Sequence, residues 1–296
     1  LEEGATVNED EEFIQFEEVS LKSINLITGT SVGSHKIVPG AFISDLSANY
    51  DVQYETGDLE ISPMDVTLTA DTKTKIYGDL DPELTFVSTP AVNSALGNGD
   101  LVEFTGALTR EAGETVTGGP YSILKGTVAN SNYAINYVSA ELTITPLTVA
   151  VTAEAKSKTY GETDPALTFV SSPSIGSTLT NGLEINFEGT LARIAGESVS
   201  ASPYTIQLGT LANSNYTINF THADFTITPL AVSVSAAAKT KVYGDHDPAL
   251  TYISNPSVGS ILPNGEAVSF SGALARVAGE TVTGGPYLIS QGSLYN

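Results

Sequence analysis

The feature that most limits what this chain can become is a period. Ile61-Ser-Pro63, Ile144-Thr-Pro146 and Ile227-Thr-Pro229 open three repeats of one unit at a constant spacing of 83 residues. Behind each opening, Lys73-x-Lys75-x-Tyr77-Gly78, Lys156-x-Lys158-x-Tyr160-Gly161 and Lys239-x-Lys241-x-Tyr243-Gly244 fall in the same register without a gap. A fixed period of this size means an array of similar modules. Residues 61–143 and 144–226 are identical at about half their positions, and the retained residues are mostly Gly, Pro, Tyr, Asn and core aliphatics, so the framework repeats while the surface drifts.

Length alone would suggest two ordinary domains, but the period divides the chain into units of about 80 residues, each large enough for a modest core. Hydrophobic residues make up 41%, enough to fold, and the abundant Thr, Ser, Val, Gly and Asn favour strands and turns over helices. The formal charge of −22, with no basic stripe, argues against binding a phosphate backbone. Eight acids and no Lys or Arg lie in residues 1–20, so Glu2 to Glu18 reads as a solvated head. The absence of Cys rules out disulfides and thiolate metal sites and fits an exported bacterial surface protein. No apolar run approaches a membrane span, and Leu1-Glu2-Glu3-Gly4 is not a secretion signal, so the chain reads as an excerpt from a longer exported protein.

Period-two alternation marks the opening strands at Val66–Ala70, Val149–Ala153 and Val232–Ala236, where one face can be buried and the other wet. A second strand is expected after each Asp-Pro turn, at Leu84-Thr-Phe86, Leu167-Thr-Phe169 and Leu250-Thr-Tyr252, with further strands at Tyr121–Ile123, Tyr133–Tyr137 and Glu141–Ile144. The best helix candidate is Leu108–Ala112, with counterparts at Leu191–Ala195 and Leu274–Ala278, each stopped by Gly113, Gly196 or Gly279. Asn49-Tyr50-x-Val52-x-Tyr54 aligns with Asn132-Tyr133-x-Ile135-x-Tyr137. The expected division is therefore a divergent partial module with the acidic head at 1–60, modules at 61–146 and 147–229, and a module at 230–296 lacking its closing strands. An unfinished sheet leaves unpaired edges, so the chain is expected to be monomeric with strand exchange available at that last module.

No Gly/Ser linker separates the units; Thr145-Pro146 and Thr228-Pro229 lead directly into the next opening strand, and proline stiffens the joint. A compact body of this size is roughly 30 Å across, so three or four in an elongated row would reach on the order of 100 Å.

The run Tyr77-Gly78-acid-x-Asp81-Pro82-x-Leu84-Thr85-Phe86 and its copies, the Arg-x-Ala-Gly-Glu phrase at Arg110–Glu114, Arg193–Glu197 and Arg276–Glu280, the Pro-Tyr at 120–121, 203–204 and 286–287, and the closing Leu142-Thr-Ile-Thr-Pro146 resemble tandem MBG domains of the YGX type. Such domains are found in large bacterial surface adhesins and in many secreted proteins of the Bacteroidetes. The resemblance covers about residues 61–296. It implies a mainly β fold of tandem, β-grasp-like modules, with an immunoglobulin-like sandwich as the alternative. It also implies an extracellular or cell-surface role in adhesion, and it brings no catalytic residues and no cofactor with it.

The candidate sites have structural readings beside their functional ones. Asp79, Asp81 and Glu83 could form a calcium loop, but Glu83 is replaced by Ala166 and Ala249 in the other repeats, and calcium wants six or more oxygens. Turn bonding by Asp81, Asp164 and Asp247 beside Pro82, Pro165 and Pro248 is preferred. The paired lysines read as exposed guards of an edge strand, stems over the following tyrosine, which also disfavours a lysine–asparagine cross-link. The recurring Arg110/Glu114, Arg193/Glu197 and Arg276/Glu280 read as a structural ion pair or a carbonyl clamp. Together with Tyr77, Gly78, Tyr160, Gly161, Tyr243 and Gly244 they form a structural signature. His35, His222 and His246 occupy unrelated register positions, so a catalytic triad is not indicated and the chain is read as non-enzymatic. Most aromatics fall on repeated framework positions, with Phe13, Phe16 and Phe225 as exceptions. The expected function is a structural stalk or spacer in an adhesin, the alternative being modules that bind an extracellular glycan or protein multivalently.

Overall fold

The structure, a computed structural model, describes residues 26–38, 53 and 55–296. The acidic head, Phe13, Phe16 and the expected strand residues Asn49, Tyr50, Val52 and Tyr54 lie outside the described residues. What is described consists of strands, turns and irregular loops. It holds two single 3-10 turns, at Val199–Ala201 and Val282–Gly284, and no α-helix.

By contacts the chain gathers into two compact units. One comprises residues up to Lys75 together with Asp81–Gly113 and Gly118–Thr143; the other comprises Ile76–Leu80, Glu114–Thr117 and Ile144–Asn296.

The first unit begins with an antiparallel sheet of β1 (Leu26–Ile27), β2 (Gly33–Val38) and β3 (Gly57–Ile61). The first repeat follows as β4 (Met64–Ala70), β5 (Lys73–Ile76), β6 (Phe86–Thr89), β7 (Thr109–Arg110), β8 (Tyr121–Leu124), β9 (Tyr133–Val138) and β10 (Ala140–Thr145). These strands make two sheets, ordered β6-β4-β9 and β5-β10-β8-β7. Alternation decides which side chains go inward: Val66, Leu68 and Ala70 of β4 are buried, with the intervening threonines less so. The core takes Leu68 and Ala70 from one sheet and Ile123 and Leu142 from the other, with Leu108 and Val128 from loops. Phe86, Phe104 and Tyr133 meet edge to face at 5.6 and 5.5 Å beside it.

The second unit holds the second repeat as β11 (Leu147–Ala153), β12 (Lys156–Thr159), β13 (Phe169–Ser172), β14 (Ala192–Arg193), β15 (Tyr204–Gln207), β16 (Tyr216–Thr221) and β17 (Ala223–Thr228). Its sheets, β13-β11-β16 and β12-β17-β15-β14, repeat the earlier orders. Two parallel ladders define the repeat. β11 runs beside β16 from Leu147↔Tyr216 to Thr152↔Thr221, and β12 runs beside β17 from Lys156↔Phe225 to Thr159↔Thr228. Only Glu154 and Ala155 separate β11 from β12, and only His222 separates β16 from β17. The opening and closing segments are therefore two long strands that change sheet midway, side by side and in the same direction.

The third repeat holds β18 (Ser233–Ala236) paired with β19 (Tyr252–Asn255), and β20 (Ala275–Arg276) paired with β21 (Ile289–Ser290), all antiparallel. Among the described residues no strand forms there at the place of β12. Leu68 and Val151 are wholly buried, and Val234 at the same repeat position is 38% exposed.

The mainly β, multi-sheet character matches the sequence expectation. Within that class, two sheets sharing a core describe each of the first two repeats better than a sheet crossed by a helix. The helix expected at Leu108–Ala112 is corrected to the short strand β7, and its counterparts to β14 and β20. Five residues cannot nucleate a helix without packing, and the strand here gains backbone pairing of Arg110 with Ile123 and of Arg193 with Ile206.

Candidate functional site: a repeated ionic knot and a repeated clasp

Lys158 occupies the inward position of β12, Asp164 the Asp-Pro turn that follows, Arg193 the short strand β14, and Glu197 the loop beyond it. The fold brings all four together. Arg193 Nε donates to Asp164 Oδ2 at 2.6 Å and Nη2 to Oδ1 at 3.0 Å, a two-pronged contact matched to the planar carboxylate. Its Nη1 donates to the carbonyls of Ile194 and Gly196 at 3.0 and 2.7 Å, and its Nη2 to Glu197 at 2.6 Å. Lys158 Nζ closes the knot at 2.8 Å from Asp164 and 2.6 Å from Glu197. The guanidinium lies over the rings of Tyr204 and Phe225 at 5.5 and 4.7 Å.

The other repeats build the same object. Arg110 reaches Asp81 at 2.6 and 3.0 Å and the Gly113 carbonyl at 2.7 Å, with Lys75 Nζ 2.8 Å from Asp81. Arg276 reaches Asp247 at 2.6 and 3.0 Å and the Gly279 carbonyl at 2.9 Å, and Lys241 bridges Asp247 and Glu280 at 2.7 and 2.5 Å. Hydrogen bonds from the arginine hold Asp81 and Asp164 below the usual carboxylate range, and push Asp247 down to about 2. Burial opposes the charge on Lys158, but its bonds to Asp164 and Glu197 outweigh that and hold its pKa above that of an ordinary lysine. Gly196 is needed because its φ of +149° leaves a Cβ 2.3 Å from the Tyr204 ring.

The sequence reading of the lysines is corrected here. Lys75 and Lys158 are buried, not exposed guards. They do lie on outer strands of their four-stranded sheets, but opposite charges converge beneath them. The arginine is an ion pair and a carbonyl clamp at once. The Asp81, Asp164 and Asp247 carboxylates bond cations of the knot. Asp79 and Glu83 do not join Asp81 in a cation site, and no three acidic or histidine side chains converge as one among the described residues. A buried lysine beside two carboxylates raises the question of an amide cross-link. That condensation needs a neutral amine and a protonated acid, and the knot favours the opposite charge states on Lys158 and Asp164. His35 and His222 bond backbone carbonyls of Ser31 and Ile206.

Beside the knot, the Tyr-Gly of the signature has a second occupation within the second unit. The N–H of Asn181 donates to the Gly78 carbonyl at 2.9 Å, and the N–H of Asn264 to the Gly161 carbonyl at 2.9 Å. In both, a tight turn presents the asparagine, its side-chain oxygen accepting from Leu183 or Glu266 at 3.1 Å. Leu179 and Leu262 lie so close to Gly78 and Gly161 that an added Cβ would meet a methyl at 2.6 or 2.5 Å. Tyr77 meets Tyr216 edge to face at 5.7 Å; Tyr160 has its pKa raised by a hydrogen bond with the Glu266 carboxylate. Val116 N–H adds a bond to Asn215 Oδ1 at 2.9 Å. At the third position Tyr243 is 72% exposed, and a Cβ added at Gly244 would meet nothing within 4 Å.

Sequence reasoning missed this clasp. The signal was present: Leu96-x-Asn98-Gly99, Leu179-x-Asn181-Gly182 and Leu262-x-Asn264-Gly265 recur at the period of the Tyr-Gly pair.

Comparison with known protein families gives one family model, the MBG domain (YGX type), matching residues 66–143, 149–226 and 232–296. No curated protein and no solved structure matches the chain. The three consecutive matches span most of the described residues and carry both the knot and the clasp, and with them the chain belongs to the MBG domain family of YGX type, a family of extracellular, adhesin-type repeats.

Proposed function

We propose that this chain is a non-enzymatic spacer segment of a secreted or surface-anchored bacterial adhesin, holding a binding or anchoring part at a distance. The observation that carries the reading is the parallel course of the opening and closing strands in the second repeat. The polypeptide enters beside Tyr216 at Leu147 and leaves beside Thr159 at Thr228. At about 3.3 Å per residue, these points lie roughly 40 Å apart if the strands were straight. A repeat that takes the chain in at one end and delivers it at the other adds length with every copy. The clasp then limits bending where Gly161 receives Asn264.

Small-angle scattering tests the proposal. A spacer gives an extended particle whose maximum dimension grows by a constant increment in variants carrying one, two or three repeats. A maximum dimension that stays near that of one globule as repeats are added would overturn it.

A further inference from the structure

Every repeat writes Asn-Gly at the same place, as Asn98-Gly99, Asn181-Gly182 and Asn264-Gly265. In the two clasps of the second unit this dipeptide forms the tip of the docking turn. The side-chain oxygen of Asn181 accepts the Leu183 N–H at 3.1 Å, and that of Asn264 accepts the Glu266 N–H at 3.1 Å. Each carboxamide is therefore folded back along the peptide that follows it. That peptide belongs to Gly182 or Gly265, where φ is +88° or +89° and a Cβ would meet nothing within 4 Å. Glycine has no side chain of its own to hinder the approach of its nitrogen to the adjacent carboxamide carbon.

Hydrogen bonds oppose that approach while the clasp is shut. The Gly182 N–H donates to the Leu179 carbonyl at 2.9 Å and the Gly265 N–H to the Leu262 carbonyl at 2.8 Å, so the nitrogen that would attack keeps its proton. The asparagine N–H is engaged with Gly78 or Gly161 at 2.9 Å. In the first of the two clasps, Asn181 Nδ2 also donates to Glu114 Oε2 at 3.3 Å.

We propose that Asn181 and Asn264 are latent self-modification sites: the shut clasp protects them, and its opening frees them to close a ring on the glycine that follows. Hydroxide takes the Gly182 N–H proton, the nitrogen bonds to Asn181 Cγ, and the Cγ–Nδ2 bond breaks. Ammonia leaves with a proton from water. Water then opens the five-membered imide at either carbonyl, giving aspartate or its isomer linked through the side chain. The net change is asparagine and water to aspartate and ammonia, and holding both reacting groups in one short loop favours it. The isomer inserts a methylene into the backbone between two N–H groups that the shut turn aims at the Gly78 and Leu179 carbonyls. Either product sets a carboxylate where Nδ2 now faces Glu114, and like charges repel. A clasp that has opened and reacted does not shut as before, so the modification records the opening. This chemistry stands whether or not the chain is a spacer.

The test follows both asparagines in the whole chain during mildly alkaline incubation, by fragmentation mass spectrometry, with a synthetic peptide of residues 177–185 as the unclasped reference. Asn181 should convert at least about tenfold more slowly in the chain than in the peptide. Gly78→Ala, whose Cβ would meet a Leu179 methyl at 2.6 Å, should speed Asn181 at least about fivefold and leave Asn264 slow. Gly161→Ala should do the reverse. Equal rates in chain and peptide would overturn the proposal, as would variants that speed both asparagines alike or neither. The converted chain, separated by its added charge, should exchange the amide of residue 181 faster than the parent does. Unchanged exchange there would overturn the link between the modification and the clasp.

Discussion

Arg193 holds Asp164 through two parallel hydrogen bonds while Lys158 approaches the same carboxylate from β12 at 2.8 Å. One aspartate thereby ties together a turn, an outer strand and the short strand β14. Because Asp164 stays 40% exposed, solvent screens part of this contact, and its value lies in geometry as much as in charge.

Replacing Arg193 by Lys keeps the charge and loses the planar fork and both carbonyl bonds. The expected cost is about 1–2 kcal/mol, read as a lower urea midpoint with an unchanged slope. A midpoint equal to that of the parent chain would show that the fork does not matter to stability.

The knot also fixes the pH response. Asp81 and Asp164 lie below their ordinary 3.8, Asp247 near 2, and Glu197 and Glu280 below 4.5. A carboxylate whose pKa is lowered by folding stabilises above its unfolded value, and that contribution disappears as pH falls through the folded one. Lys158 and Lys241 lie above 10.5, so their contribution is present below that value and is lost as pH rises through the folded one. Melting temperature should be nearly level from about pH 5 to 9 and fall steeply toward about pH 2. In Asp164→Asn the acid limb should be shallower; an acid limb as steep as the parent's would remove the knot as its source.

Gly161 and Gly244 separate backbone strain from contact. Both have positive φ, +90° and +93°, but only Gly161 faces a neighbour, Leu262. Gly244→Ala should cost about 1–2 kcal/mol from strain alone. Gly161→Ala should cost more and speed hydrogen exchange at the Asn264 amide. Equal costs with unchanged exchange would mean that the clasp is not held by the Leu262 contact.

Phe225→Leu reproduces what the first repeat carries at Leu142 and should cost less than about 1.5 kcal/mol. Phe225→Ala leaves a cavity under Arg193 and should cost about 3–5 kcal/mol. Chemical denaturation that ranked the two variants the other way would place Phe225 outside the core.

Much of the fold was legible because alternation is a local signal: Val66–Ala70 and Val149–Ala153 are strands wherever the rest of the chain goes. The burial of Lys158 was not legible from its own strand, where a lysine among threonines reads as wet. Its partners are separated from it by six and thirty-nine positions, and only pairing of β12 and β14 through one sheet brings them to it. The joint recurrence of Lys, Asp, Arg and Glu, two charges of each sign at fixed spacing in every repeat, was the available clue. Likewise Tyr77-Gly78 and Asn181-Gly182 were each visible as turns, but that one receives the other depends on tertiary structure.

The two strands that run side by side from Leu147 to Thr159 and from Tyr216 to Thr228 bear on how a repeat meets a pull. Tension applied at Leu147 and at Thr228 draws the two strands past each other lengthwise. Ladder bonds loaded in this way share the force and must fail together, whereas a hairpin pulled open from one end gives way bond by bond. A repeat tied by this pair should resist tugging along the chain far better than its modest core would suggest.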